Sequence, residues 1–464
     1  MMNQTTAHRL LGALLLLFLW VPTAQSAFPV ERFTLANGLT VLLVESHSNP
    51  MVEFRLLTRA GSAYDPNGLQ GIAYVMGWMA NEGAGELEAQ AFQEKLDFRG
   101  MRLYGSTSRD YLKYQLTTLS RDLDEAFQML VDAVKQPRFD AEPLARVKRE
   151  RIASYEQSRE DADTLADEAL MQALFSNHPY RHPVGGYPRT IEKITPEDLH
   201  RFHQKAIRAP NMVLSVAGDI SLKKLKSLVQ QHFSGLSPDP GPFGAPVTRT
   251  LPLQQAGFTQ QHIHKQGPQT VVQMGWMGID RHDPDYFAVY MLNHLLGGGG
   301  FTSRLTQEIR EKRGLTYSVH SYFVPWEGRG GWEVGMRTRN QSRDQALALA
   351  RAELAKIRHE GISEEELSQA KKHLLGAFPI MLDSLSKLAS TWSIIGFYKR
   401  GWDYLERWPE RVAAVTTADL KRVANRFFNE NQMVAVMVGP EGVEQKISKA
   451  NERDSSPKAG KYKH

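Results

Sequence analysis

Tyr74, Gly77 and Trp78 stand at i, i+3 and i+4 of a helical stretch, positions that adjoin on one helix face. Two histidines and a glutamate at that spacing would give a zinc ion two ligands and a base for its water. Phenol, hydrogen and indole do neither. Zinc takes imidazole nitrogen, thiolate or carboxylate, and water activation needs a group titrating near neutrality. Other pairs are weaker. His200 and His203 lie at i, i+3 without an evident third ligand, His178 and His182 are separated by Pro179, and His262 and His264 sit at strand spacing. All six are expected to bind no metal. The Gly297–Gly300 run lacks the Gly-Lys-Ser/Thr of a phosphate loop and reads as a site of tight turning or close backbone approach. No G-x-S-x-G nucleophile motif occurs.

The elements that hold these residues follow from periodicity. Leu69, Ile72, Ala73, Met76, Met79 and Ala80 keep the i, i+3, i+4, i+7 rhythm of a buried helix face, which places Tyr74, Gly77 and Trp78 opposite. Glycine inside a helix costs about 1 kcal/mol relative to alanine, so Gly77 needs a reason. It either makes room for Trp78 or a partner's side chain, or reflects drift. Leu123, Ala126, Phe127, Leu130, Val131 and Val134 mark a helix that stops before Pro137, and Val52–Leu57 reads as a strand. Ser303–Arg313 reads as a helix closed by Gly314, followed by a strand over Leu315–Phe323.

An internal repeat is visible. Thr195-Pro-Glu-Asp-Leu199 and Met212–Gly218 recur as Thr416-Thr-Ala-Asp-Leu420 and Met433–Gly439; Thr195 pairs with Thr416, Asp198 with Asp419 and Gly218 with Gly439 at a constant spacing of 221. Each copy reads as a capped helix followed by an apolar strand. The chain therefore divides into halves at 28–233 and 253–443, joined by a Pro/Gly-rich linker at 234–252 of semi-extended character. Each half is α+β, an antiparallel sheet with helices on one side.

Several segments, in order, resemble the pitrilysin/insulinase-type (inverzincin) metallopeptidases, in particular the small two-domain bacterial members related to mitochondrial processing peptidase. They are Leu35-Ala-Asn-Gly-Leu-Thr-Val-Leu-Leu-Val44, Arg59-Ala-Gly-Ser-Ala-Tyr-Asp-Pro66, Gly68–Tyr74, Asn177-His-Pro-Tyr180 with Gly185-Gly186, Ile194–Leu199 and Asn211–Asp219. Leu295–Gly300 with Ser303–Val319 is the strongest match. The resemblance implies two homologous α/β-roll halves forming a clamshell around a peptide chamber. It also implies that Tyr74, Gly77 and Trp78 replace an H-x-x-E-H motif, and that the family's third, glutamate ligand falls at Ser154 or Tyr155, with Glu150 and Glu156 flanking it. From the second half it carries over a substrate-binding arginine and tyrosine as Arg310 and Tyr317. Guanidinium and phenol can both donate to a peptide carbonyl and support charge developing there.

A chain with that pair but no zinc motif resembles the non-catalytic (pseudo-peptidase) member of a heterodimer. Its partner would be a homologous H-x-x-E-H subunit that carries the zinc, and peptides would be the substrates. No cofactor is expected in this chain, and no proteolysis by it alone. The alternatives are a stand-alone peptide-binding or scaffolding protein of the envelope, or a zinc endopeptidase with a divergent site. Residues 1–26 read as a secretory signal: Arg9, the apolar Leu10–Val21, and small residues for cleavage after Ser26 or Ala27. The run falls short of the roughly 20 residues of a membrane span, although an uncleaved anchor is the alternative. A periplasmic protein follows, off the membrane once cleaved. The absence of cysteine excludes disulfides and thiolate metal sites. The net charge of +5 is spread along the chain without basic–aromatic interleaving, which argues against nucleic acid. The polar tail at 444–464 reads as disordered.

Overall fold

The computed structural model describes residues 30–246 and 257–441. The leader at 1–26, the later part of the linker and the tail at 444–464 lie outside the described residues.

The elements that carry the argument run as follows. First come β1 (Glu31–Thr34), β2 (Thr40–Glu45), β3 (Met51–Thr58), α1 (Ile72–Trp78), β4 (Arg102–Thr107), β5 (Leu112–Leu119), α2 (Leu123–Lys135), α3 (Ala141–Ser158), α4 (Ala162–Leu174), α5 (Pro196–Ala206) and β6 (Met212–Gly218). Then follow β7 (Thr259–His264), β8 (Gln269–Met277), α6 (Tyr286–Asn293), β9 (Thr316–Phe323), β10 (Gly331–Arg339), α7 (Arg343–Glu360), α8 (Leu385–Phe397), α9 (Thr417–Phe427) and β11 (Val434–Gly439). One sheet has the order β1-β2-β6-β3-β5-β4 and the other β9-β10-β8-β11-β7.

The repeat is structural. In each sheet one parallel pair interrupts otherwise antiparallel pairing: Thr40↔Val213 of β2–β6 recurs as Thr259↔Val434 of β7–β11. The preceding helices open on reciprocal capping boxes, Thr195 with Asp198 and Thr416 with Asp419. Such a cap contributes about 1 kcal/mol.

The chain folds as two compact units that depart from contiguous halves. Unit 1 takes the described residues of Met1–Lys148, Glu192–Pro246 and Leu374–Ala414; unit 2 takes those of Arg149–Ile191, Val247–His373 and Val415–His464. Each sheet thus gains a helix from the other half of the sequence. In unit 1, α2 covers one face, where Phe54 of β3 meets Phe127 at 5.5 Å. Helix α8 covers the other: Arg55 of β3 donates to Ser386 at 2.7 Å and Ser390 at 3.3 Å, and pairs with Glu53 at 2.7 Å. In unit 2, α4 lies on β8 and β11, with Leu170 against Gly275. On the opposite face Trp276, Trp332 and Phe428 pack within 5.6 Å of one another. Burying each such aromatic side chain stabilises by roughly 2 kcal/mol. The expectation of helices on one side only is therefore corrected. Local periodicity marks which face of a strand is polar, but not that a distant helix seals it.

The 234–246 part of the linker is also not free. Phe243 is buried at 4.8 Å from Tyr64 and 5.3 Å from Phe202, and Asn211 donates to the Pro240 carbonyl at 2.7 Å.

Candidate functional site: a closed helix face and an arginine-lined pocket

Helix α1 begins where Gly71, at φ 100°, turns the chain. The Asp65 carboxyl accepts from the Gly71 N–H at 2.6 Å and the Ala73 N–H at 3.1 Å, which answers two of the orphan donors at the start of the helix. Burial pushes the Asp65 pKa well up, and those two donors only partly offset it. Ile72, Ala73, Met76, Met79 and Ala80 are buried, as their spacing requires. Gly77 departs from the expected exposed face: it is buried against β4 and β5. A Cβ there would meet Leu112 Cδ1 and Thr107 Oγ1, both at 3.0 Å. A Cβ on Gly105 of β4 would lie 2.2 Å from the Gly77 carbonyl oxygen. Thr107 Oγ1 donates to the Ala73 carbonyl at 2.9 Å, tying the helix to the strand. Helix and strand thus touch backbone to backbone at Gly105, which admits no side chain there, while a Cβ at 77 would press on two side chains.

Tyr74 and Trp78 stay outside that contact. Tyr74 is half-buried, Trp78 is 48% exposed, and their rings are 5.8 Å apart. Zinc does not fit this set. The three positions offer no ligand for it, and a side chain at 77 would crowd Leu112 and Thr107.

Ser154 and Tyr155 belong to α3 within unit 2. Ser154 is exposed. Tyr155 donates to Glu168 of α4 at 3.4 Å, lies under the Arg151 guanidinium at 5.6 Å and meets the Tyr187 ring edge-on at 6.1 Å. Burial first, then the Glu168 charge, raises its pKa, so it stays a neutral phenol joining two helices. Glu150 and Glu156, the flanking carboxylates, are both exposed.

The histidine pairs have structural surroundings. His203 of α5 shares a hydrogen bond of 2.7 Å with the Val134 carbonyl, and burial lowers its pKa. His178 Nδ1 accepts from the Tyr180 N–H at 3.1 Å.

In unit 2 the stretch after Ser303 is helical, with a π-type widening over Thr306–Glu311, and Gly314 (φ 60°) returns its N–H to the Arg310 carbonyl at 2.8 Å. Strand β9 then starts with a bulge. Thr316 pairs with Thr338 and Ser318 with Arg337, which leaves Tyr317 as the extra residue. A bulge re-aims the side chain it carries, and Tyr317 is 84% exposed. Thr316 pins it: its hydroxyl lies 2.7 Å from the Ser318 carbonyl and 2.5 Å from the Arg337 carbonyl, and the Ser318 N–H donates back to it at 3.1 Å. Arg310 is half-exposed, with its guanidinium 4.7 Å over the Phe301 ring and its Nε 3.5 Å from Glu311.

Arg310 and Tyr317 line one open pocket of about 450 Å³. Gln269, Arg337 and Arg339 line it as well, and none of these three stood out in the sequence. The alternation Arg337-x-Arg339 at the end of a strand, both side chains on one face, was the available signal.

Residues 40–186 match the family model described as Insulinase (Peptidase family M16), and residues 193–374 the model described as Peptidase M16 inactive domain. The chain belongs to the M16 peptidase family. It is a non-catalytic M16 member, and its sequence contains no H-x-x-E-H motif. A crystal structure described as the peptidase M16 inactive domain from Pseudomonas fluorescens is 32% identical, with a TM-score of 0.83 over 89% of this chain and 98% of that one. An uncharacterized zinc protease of Rickettsia bellii is 25% identical over 88% of this chain and 96% of its own length. A Helicobacter pylori protein named Non-peptidase homolog YmxG is 27% identical over 81% of this chain and 86% of its own.

Proposed function

We propose that this chain is the non-catalytic subunit of a zinc peptidase of the cell envelope. Its partner is a homologous M16 subunit with an intact H-x-x-E-H helix, which holds the zinc. This chain supplies Arg310 and Tyr317 as the hold on the peptide, together with half of the chamber wall. One observation carries the reading: Tyr74, Gly77 and Trp78 offer no metal ligand and Gly77 is buried against β4, while the guanidinium and phenol stay open in a single pocket. The Helicobacter pylori relative described as a non-peptidase homologue supports it. The leader at 1–26 points to the periplasm, and among the described residues no helix is long and apolar enough to cross a membrane.

The test is reconstitution. The chain alone cleaves no peptide; adding the H-x-x-E-H subunit brings activity that a chelator removes. Arg310→Ala with Tyr317→Phe then lowers kcat/KM by about 100-fold, the scale of losing preorganised donors to a developing oxyanion. Proteolysis by the isolated chain overturns the reading. A reconstituted peptidase indifferent to the double variant points instead to a peptide-holding or scaffolding role.

A further inference from the structure

The pocket around Arg310 and Tyr317 is strongly cationic in its lining: three arginines against the single carboxylate of Glu311. The three are not equivalent. Arg337 is held by Asp161 at 2.7 Å and by Asp163, so its charge is already answered. Arg310 approaches Glu311 through Nε at 3.5 Å and stacks over the Phe301 ring, and its guanidinium makes no hydrogen bond among the described residues. Arg339 is exposed at the end of β10, and its side chain has no ion-pair or hydrogen-bond partner among the described residues. Its register neighbour across the sheet is Gln269, which adds a neutral amide to the same pocket wall.

A guanidinium presents paired N–H donors in the plane that a carboxylate accepts, and such charge-assisted bonds are about twice as strong as neutral ones. Two incompletely answered guanidiniums, an amide and a phenol around one space of about 450 Å³ form a receptor for an anionic group. We propose that this pocket makes the subunit select peptides carrying a carboxylate, which Arg339 receives beside Arg310. This rests on the reading of Arg310 and Tyr317 as the peptide hold and adds the substrate class. The carboxylate comes from an aspartate or glutamate side chain or from the peptide's C-terminus.

Calorimetric titration of the full chain with one host peptide tests it. The peptide carries a single Glu or Gln, each with a free or amidated C-terminus. The expected result is about tenfold tighter binding for whichever form supplies the carboxylate, and an acidic-over-neutral preference near one in Arg339→Gln. In the parent the preference shrinks as salt rises from 50 to 300 mM, because exposed charges are screened. The two arms identify the source of the carboxylate. A preference that survives Arg339→Gln, or never exists while Arg310→Gln still weakens every peptide, overturns the selectivity and leaves the peptide hold standing. Binding indifferent to both Arg310→Gln and Tyr317→Phe, or absent altogether, overturns both.

Discussion

Two helix–strand junctions meet opposite ends. At α1 and β4 the backbones touch through Gly77 and Gly105, leaving no room for a side chain at 105. In unit 2 the helical turn at Gly297 approaches β9 as closely, since a Cβ there would lie 2.5 Å from the Ser321 nitrogen. Yet a few residues earlier on the same strand, the bulge at Tyr317 turns a side chain outward and a pocket opens beside it. The difference shows that closure and opening depend on where a glycine or an extra residue falls, within one shared topology.

The largest effect tests the closed junction. Gly105→Val forces α1 off β4 and costs about 3 kcal/mol, the upper end of the usual overpacking range. Urea melts followed by tryptophan fluorescence measure it, and a parent-like midpoint breaks the comparison. Next comes an attempt to reopen the junction with Tyr74→His, Gly77→Glu and Trp78→His together. The expected product loses about 2 kcal/mol from crowding at Leu112 and Thr107 and retains no stoichiometric zinc by elemental analysis. One tightly held zinc per chain would show that the contact yields.

A smaller effect separates the two sheet faces under the exchanged helices. Under α8, Arg55 pairs with Glu53, and burial and Arg55 lower the Lys113 pKa. Under α4, Gln273 donates to Asp167 at 2.7 Å and to Glu333 at 3.3 Å, and burial, then Glu333 and Asp161, push the Asp167 carboxyl up to about 6. A raised carboxyl favours the folded state while protonated. Its contribution is therefore complete below about pH 4, the unfolded value, and is lost as pH rises through about 6. Melts at pH 4.5 and 7.5 should differ by roughly 1–2 kcal/mol more in the parent than in Asp167→Asn, after allowance for screening. Equal differences sink the assignment. The smallest change is Thr316→Val, which removes the pin of the bulge. About 1 kcal/mol of stability and a few-fold of peptide affinity should go with it, read by melting and calorimetry.

Much of the fold was legible because its signals are local. The capping boxes at Thr195 and Thr416, the apolar strands that follow and the helix ending before Pro137 all lie where the residues place them. The direction of Gly77 was not legible. Helix α1 has seven residues and only Tyr74 and Trp78 escape burial, so periodicity cannot distinguish its sheet-facing side. The bulge depends on a pairing between Thr316 and Thr338 that no single-strand pattern encodes, and the exchange of α4 and α8 depends on contacts such as Asp167–Gln273 and Arg55–Ser386, 106 and 331 residues apart.

That exchange sets an order of events during synthesis. Unit 1 needs Leu374–Ala414, so its sheet cannot be sealed until nearly the whole polypeptide has left the ribosome. Until then the sheet face around Arg55, Leu57 and Val213 stays uncovered. An apolar sheet face left open for that long is the condition under which growing chains are prone to aggregate.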